Sequence, residues 1–102
     1  MIDTSALHSA GTGSPVPAES LQELARIRRR FTELTVPAAG DGMRRARPLL
    51  DRLTDRLGQP PVPDLGPAAV PDQLAVLVFD AYAAGMGSDL AVQLAALRRS
   101  LP

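Results

Sequence analysis

The sequence predicts an all-α protein, a small four-helix bundle built from two αα-hairpins that a proline-rich strap joins. Apolar residues recur at spacings of three and four along four segments, which is the period of a helix with one buried face. Leu, Val and Ala supply the apolar content, since only Phe31, Phe79 and Tyr82 are aromatic. A chain of 102 residues has room for one domain. We expect a disordered N-terminal arm over 1–16 and a single helical domain over 17–102.

The first helix is predicted over about 18–35. Ser20 and Glu23 have the spacing of a capping box, in which two side chains bond the unpaired N–H groups of a helix start. Pro17 in the first helical position is the alternative start. The apolar face consists of Leu24, Ile27, Phe31 and Leu34.

The second helix is predicted over about 42–57, with Asp41 as its N-cap. Its apolar face consists of Met43, Ala46, Leu50, Leu53 and Leu57. Pro48 lies inside this pattern, so it either kinks the helix or marks its true beginning. Gly58, which two prolines follow closely, indicates the end of the helix.

The connector over 58–70 is rich in proline, which favours an extended path without internal hydrogen bonds. One interpretation is a ligand for the aromatic-lined groove of a partner. The favoured interpretation is a stiff strap across the bundle, with Val62 and Leu65 in the core, because this length can join two helical hairpins.

The third and fourth helices are predicted over about 71–84 and 88–100, with a short loop between them. Pro71 suits the first position of the third helix, and Gly85 ends it. Ser88 or Asp89 caps the fourth helix. The apolar stripe of that helix consists of Leu90, Leu94, Leu97 and Leu101.

Residues that could carry out catalysis are scarce, so we expect a protein that is not an enzyme and holds no cofactor and no metal. Cysteine is absent, and the single histidine, His8, falls in the predicted arm. A histidine in a disordered segment cannot be held within hydrogen-bond reach of a nucleophile. The sequence contains no convergent carboxylate cluster and no glycine-rich phosphate loop after a strand.

The middle of the chain is strongly basic. Residues 26–56 hold nine arginines and four acidic residues, a net charge of +5 in a chain whose total is zero. This segregation raises the alternative of nucleic-acid or anion binding. The candidate contacts are Arg28, Arg29, Arg30, Arg44, Arg45 and Arg47.

Three observations count against that alternative. The helical spacing lets Glu33 pair with Arg29 and Arg30. The same rule pairs Asp51 with Arg47 and Asp55 with Arg52. No aromatic residue is interleaved for base stacking. A GC-rich genome also explains why every basic residue is arginine.

The third helix is apolar on almost every side, since Asp80 is the only charged residue between Leu74 and Met86. Such a helix needs to be buried on almost every side, and three other short helices can hardly enclose it. We therefore expect a second copy or another protein to cover it, the alternative being a central helix in a monomeric bundle. The candidate interface residues are Leu74, Leu77, Val78, Phe79, Tyr82, Met86, Leu90 and Leu94.

The sequence thus favours a non-enzymatic protein–protein interaction module, a self-associating accessory or regulatory protein whose partner is another protein or, in a homodimer, a second copy. The alternative is a small arginine-dependent nucleic-acid-binding regulator. A weaker alternative is an apolar ligand carrier with a cavity around Phe31, Leu77 and Phe79. No segment resembles a targeting signal or a membrane span, so we expect a cytoplasmic protein with no membrane partner.

Overall fold

The computed structural model describes residues 14–102, which form four α-helices and no β-strand. The helices are α1 (Ala18–Glu33), α2 (Val36–Leu57), α3 (Val70–Ala83) and α4 (Leu90–Ser100), and a short 3-10 turn, Pro67–Ala69, precedes α3. The predicted all-α four-helix bundle is confirmed. Residues 1–13 of the predicted arm, with His8, lie outside the described residues.

Helix α1 begins at Ala18, directly after Pro17, whose carbonyl accepts a hydrogen bond from the Leu21 N–H at 3.0 Å. The predicted capping box is wrong, because Ser20 and Glu23 lie inside the helix and bond to residues of other helices. Val16, the last residue of the predicted arm, is buried in the core.

Helix α2 begins at Val36, well before the predicted start. The Thr35 hydroxyl accepts a hydrogen bond from the Ala38 N–H at 3.3 Å and so caps the helix. Pro37 stands in the first turn, where its missing N–H has no helical partner to lose. Asp41 is therefore inside the helix and not its N-cap.

Pro48 lies in the interior of α2, so it does not mark the start of the helix. The predicted end is confirmed at Gly58, whose φ of 67° is in the left-handed region that favours glycine. The Gly58 N–H donates to the Asp55 carbonyl at 3.2 Å, and the Gln59 N–H donates to the Thr54 carbonyl at 2.9 Å. These two bonds pair carbonyls that the end of the helix would leave unpaired.

Helices α1 and α3 run antiparallel. The Ser20 and Tyr82 hydroxyls are 2.7 Å apart, which brings the start of α1 to the end of α3. Arg28 Nη2 donates to Asp72 Oδ1 at 2.7 Å, which joins the later half of α1 to the start of α3. The helices that pack most closely are nevertheless α1 with α4 and α2 with α3.

Helices α2 and α4 are also antiparallel. Arg56 Nη1 donates to Asp89 Oδ1 at 3.0 Å, so the end of α2 meets the start of α4. At the opposite end Gly42 lies against the Phe31 ring and Leu101. The connector must therefore return along the bundle before α3 begins, which leaves α2 and α3 parallel.

The connector crosses the bundle as the predicted strap. Val62 packs against the core, and its carbonyl accepts a hydrogen bond from Arg47 Nη1 at 3.1 Å. The Pro63 carbonyl accepts a hydrogen bond from Gln73 Nε2 at 2.9 Å. These contacts fasten the strap to α2 on one side and to α3 on the other.

Leu65 does not reach the core, so that part of the prediction is wrong. Its exposed fraction is 66%. Asp64 Oδ1 accepts a hydrogen bond from the Gly66 N–H at 2.9 Å, which forms a turn with Leu65 at its centre. The turn keeps the Leu65 side chain out of the helical core.

The core combines the apolar stripes of all four helices. The faces predicted for α1, α2 and α4 supply the buried residues Ile27, Phe31, Ala46, Leu50, Leu53, Leu90, Leu94, Leu97 and Leu101. Leu49 and Val70 are also buried, although the spacing did not select them. No buried side-chain nitrogen or oxygen of residues 14–102 is without a hydrogen-bond partner. The interior of this part is therefore an apolar core without unpaired side-chain polar groups.

Candidate interaction surfaces

Most of the predicted interface belongs to the protein's own core. Leu74, Leu77, Val78, Leu90 and Leu94 are all buried. The prediction that they face a partner is wrong for Leu74, Val78, Leu90 and Leu94, which have no exposed surface, whereas Leu77 retains a 3% exposed fraction. The sequence argument underestimated the cover over α3, since α2 is six residues longer than its predicted 42–57 and the strap covers a further side.

Tyr82 is half-buried, with its ring against the core and its hydroxyl on Ser20 at 2.7 Å. Ser20 has no exposed surface, so this hydrogen bond pairs a hydroxyl that water cannot reach. Tyr82 was predicted to lie in the interface, but its hydroxyl joins α1 and α3 of the same molecule.

Phe79 and Met86 are the members of the predicted interface that remain exposed, at 46% and 41%. The prediction missed Val76 on the same helix, which is 59% exposed, and Leu65 on the strap, which is 66% exposed. Val76 and Phe79 lie three positions apart and so share one face of α3. We call Leu65, Val76 and Phe79 the apolar patch.

A groove of about 330 Å³ separates the strap from α3 beside this patch, and we call it the strap groove. Its apolar lining is Val62, Pro63, Leu65, Val76 and Leu77, and its polar lining is Gln59, Asp72 and Gln73. No arginine lines it. Asp80 follows Val76 by four positions on the same face, is half-exposed and makes no ion pair within the described residues. The patch is thus apolar with an acidic border.

Within residues 14–102, Phe31, Leu77 and Phe79, which were predicted to surround an apolar cavity, lie on different surfaces. Phe31 lines a shallow depression with Val36 and Pro67, whereas Leu77 lines the strap groove. Phe79 is exposed and lines neither of them. The three residues do not share one enclosed volume.

The six predicted anion contacts do not form one surface either. Arg28 turns towards α3 and pairs with Asp72. Arg44 and Arg45 both pair with Asp41, at 3.5 and 2.8 Å, and the two guanidinium groups hold the pKa of this carboxyl below its ordinary value, with the Arg45 hydrogen bond as the main cause. These arginines are neutralised on separate parts of the molecule.

The pairs predicted from helical spacing form only in part. Asp51 pairs with Arg47 at 3.5 Å, as predicted. Glu33 pairs with Arg30 at 4.0 Å, but its predicted pair with Arg29 is not among the ion pairs of the described residues. Arg52 donates to Gln93 at 3.2 Å instead of pairing with Asp55. Spacing identified pairs within a helix and could not foresee a competing partner on α4.

Four arginines, two of them among the predicted contacts, form a cluster that the sequence did not reveal. Arg26, Arg29 and Arg30 of α1 and Arg98 of α4 line one open depression of about 310 Å³, together with Glu33. We call it the arginine groove. The helical period could have placed the α1 members on one side of the helix, but nothing in the sequence locates Arg98 beside them.

Glu23 lies beneath the arginine groove, with only 9% of its side chain exposed. Arg98 donates to it through Nε at 2.5 Å and Nη2 at 3.4 Å, and Arg26 Nη1 lies at 3.3 Å. The Arg98 hydrogen bond is the main cause that lowers the pKa of Glu23, against the opposing effect of burial. The same bond raises the pKa of Arg98. Glu23, which its spacing assigned to a helix capping box, therefore anchors α4 to α1.

Replacing Glu23 with glutamine should lower the free energy of unfolding near pH 7 by about 1–2 kcal/mol. The amide keeps the shape but loses the charge that Arg98 binds. Because the pKa of Glu23 is lowered in the folded state, its contribution is complete above the ordinary value of 4.5 and is lost as the pH falls through the folded value. The difference between wild type and Glu23→Gln should therefore shrink in urea titrations below that pH.

Glu33→Gln is the control for this prediction, because Glu33 is on the same helix with 57% of its side chain exposed. It should change the free energy of unfolding by less than about 0.5 kcal/mol. A Glu23→Gln difference that stays constant from neutral to acidic pH would show that the charge of Glu23 does not contribute.

The described residues contain no group of three or more His, Cys, Asp or Glu side chains that could hold a metal ion. Within this part of the chain no helix combines the length and the apolar character needed to cross a membrane. Compared with protein-family models, with curated proteins and with solved structures, the chain matches none.

Proposed function

We propose that this protein is a non-enzymatic protein–protein interaction module that self-associates, with the apolar patch and the strap groove as its docking surface. The supporting observation is the exposure of Leu65 and Val76 in one groove, together with that of Phe79 on the same face of α3 as Val76. Neighbouring large apolar side chains with a polar border are typical of surfaces that bind other proteins.

Charge complementarity favours a second copy as the occupant. Asp72, which pairs with Arg28, lines the strap groove, and the half-exposed Asp80 lies beside the patch on α3. On the outer face of α4, opposite its buried stripe, the same chain presents Val92 at 70% exposure and the exposed Arg99. One molecule thus carries an acidic apolar surface and a basic apolar surface, which can meet in an assembly of identical chains.

Sedimentation at several protein concentrations tests this proposal. Wild-type protein should associate as its concentration rises, and Phe79→Glu should weaken that association by at least about tenfold, because it places a charge where the partner removes water. Leu21→Glu is the matched control, since Leu21 of α1 is also 46% exposed and should leave the association unchanged. A wild-type chain that stays monomeric at high concentration would refute self-association, and equal weakening by both variants would refute this location.

A further inference from the structure

We propose that the arginine groove is a binding site for a compact phosphoryl anion such as phosphate or pyrophosphate. Three guanidinium groups from α1 and one from α4 line this depression, and Glu33 is the only acidic residue of the lining. The lining carries a net charge of +3, or +2 when Glu23 beneath it is included, in a chain whose total charge is zero. A phosphoryl dianion is the ligand that several convergent guanidinium groups fit best, because it accepts bidentate hydrogen bonds from more than one of them.

The groove is held in place by the carboxylate beneath it. Arg98 binds Glu23 with its Nε and Nη2, which leaves Nη1 without a bond to that carboxylate. Arg26 binds the same carboxylate through Nη1 alone. Glu23 thus fixes two of the arginines that line the groove, and their remaining N–H groups make no bond to that carboxylate. Such fixation reduces the side-chain entropy that a ligand would otherwise have to remove.

The positive charges of Arg29 and Arg30 are more available to a ligand than those of Arg26 and Arg98. Arg29 makes no ion pair and no side-chain hydrogen bond among residues 14–102. Arg30 has a single acidic neighbour, Glu33, at 4.0 Å, which is an ion-pair distance without a hydrogen bond. Both guanidinium groups can turn to an anion without breaking a strong contact.

The surroundings favour a compact anion over a nucleic-acid strand. A strand needs a continuous basic track for successive phosphates. The neighbouring arginines do not extend the groove, because Arg28 is paired with Asp72 on another side of α1. The arginines at the start of α2 share Asp41, and none of them lines the groove. The arginines without a strong ion pair are therefore concentrated at one depression of about 310 Å³, with the exposed Arg99 of α4 next to Arg98.

Calorimetric titration of the full chain with pyrophosphate and with inorganic phosphate tests the site, at about 0.15 M salt to screen diffuse attraction. The double variant Arg29→Gln/Arg30→Gln should bind pyrophosphate at least about tenfold more weakly than wild type. Arg44→Gln/Arg45→Gln removes the same charge outside the groove and should stay within about twofold. Glu33→Gln should strengthen binding, because it removes the only negative charge of the lining.

Circular dichroism spectra and melting curves establish that each variant is folded before it is titrated. No binding of either anion by the folded wild-type chain would overturn the proposal, as would equal losses in the two double variants. A single-stranded oligonucleotide that binds more tightly than pyrophosphate, and depends on both arginine pairs, would overturn the assignment to a compact anion. These titrations can succeed or fail independently of self-association, which Phe79→Glu tests.

Discussion

Replacing Leu74 with alanine should lower the free energy of unfolding of the monomer by about 3 kcal/mol. Leu74 has no exposed surface and lies in the core where α3 packs on α2. The shorter side chain loses its own burial and also leaves a cavity that close-packed neighbours fill only partly. Urea unfolding followed by circular dichroism at several protein concentrations measures the effect.

The concentration series distinguishes a core residue from an interface residue. If Leu74 stabilises the monomer, the loss should be the same at every concentration at which the wild type is monomeric. Phe79→Ala is the matched control on the same helix, and because Phe79 is 46% exposed it should change monomer stability by less than about 1 kcal/mol. If the Leu74→Ala protein had wild-type monomer stability but associated more weakly, Leu74 would belong to the interface that the sequence predicted.

The sequence predicted the buried faces of α1, α2 and α4 because a periodic pattern reports which side of a helix avoids water. Ile27, Leu50 and Leu94 show this, since each lies in a stripe at spacings of three and four and each is fully buried. The same pattern failed for α3, which is apolar on most sides. There periodicity could not separate Leu74, which the chain covers itself, from Val76, which it leaves exposed.

The start of α2 shows a second limit of prediction from sequence, which concerns the local assignment of a helix boundary. The residue before a proline disfavours the helical region, so Val36 and Pro37 predict the end of one helix. In the first turn the missing N–H of Pro37 has no partner to lose, and Thr35 supplies the cap. The same residues therefore support two assignments, and the Thr35 cap distinguishes them.

The candidate sites depended on contacts between distant segments, which neither period nor composition contains. The Glu23–Arg98 pair joins residues 75 positions apart in the chain, and the Ser20–Tyr82 hydrogen bond joins residues 62 apart. Counting charges identified a basic centre but could not show which of its arginines form ion pairs and which line a common groove. Arg28 faces Asp72, whereas Arg29 lines the groove beside Arg98, although the two are neighbours in sequence.

Replacing Gly87 with alanine should lower the free energy of unfolding by about 2 kcal/mol, because the new methyl group has no space. A Cβ at this position would overlap the Tyr82 ring at Cγ, Cδ1 and Cε1. Because Gly87 does not have a positive φ, alanine can adopt its backbone conformation. The whole effect therefore comes from the overlap with the ring. The ring must leave its place or the α3–α4 loop must move.

Displacing the Tyr82 ring also breaks the bond to Ser20, which has no exposed surface at which water could replace the phenol. A double-mutant cycle isolates this coupling: in a Tyr82→Ala background, Gly87→Ala should cost less than about 0.5 kcal/mol. Gly40→Ala is the control glycine, since only Arg44 would approach its new methyl group, at 3.9 Å, and this helical site should gain up to about 1 kcal/mol. Equal effects of Gly87→Ala with and without the Tyr82 ring would mean that the loop, rather than the ring, excludes a side chain at this position.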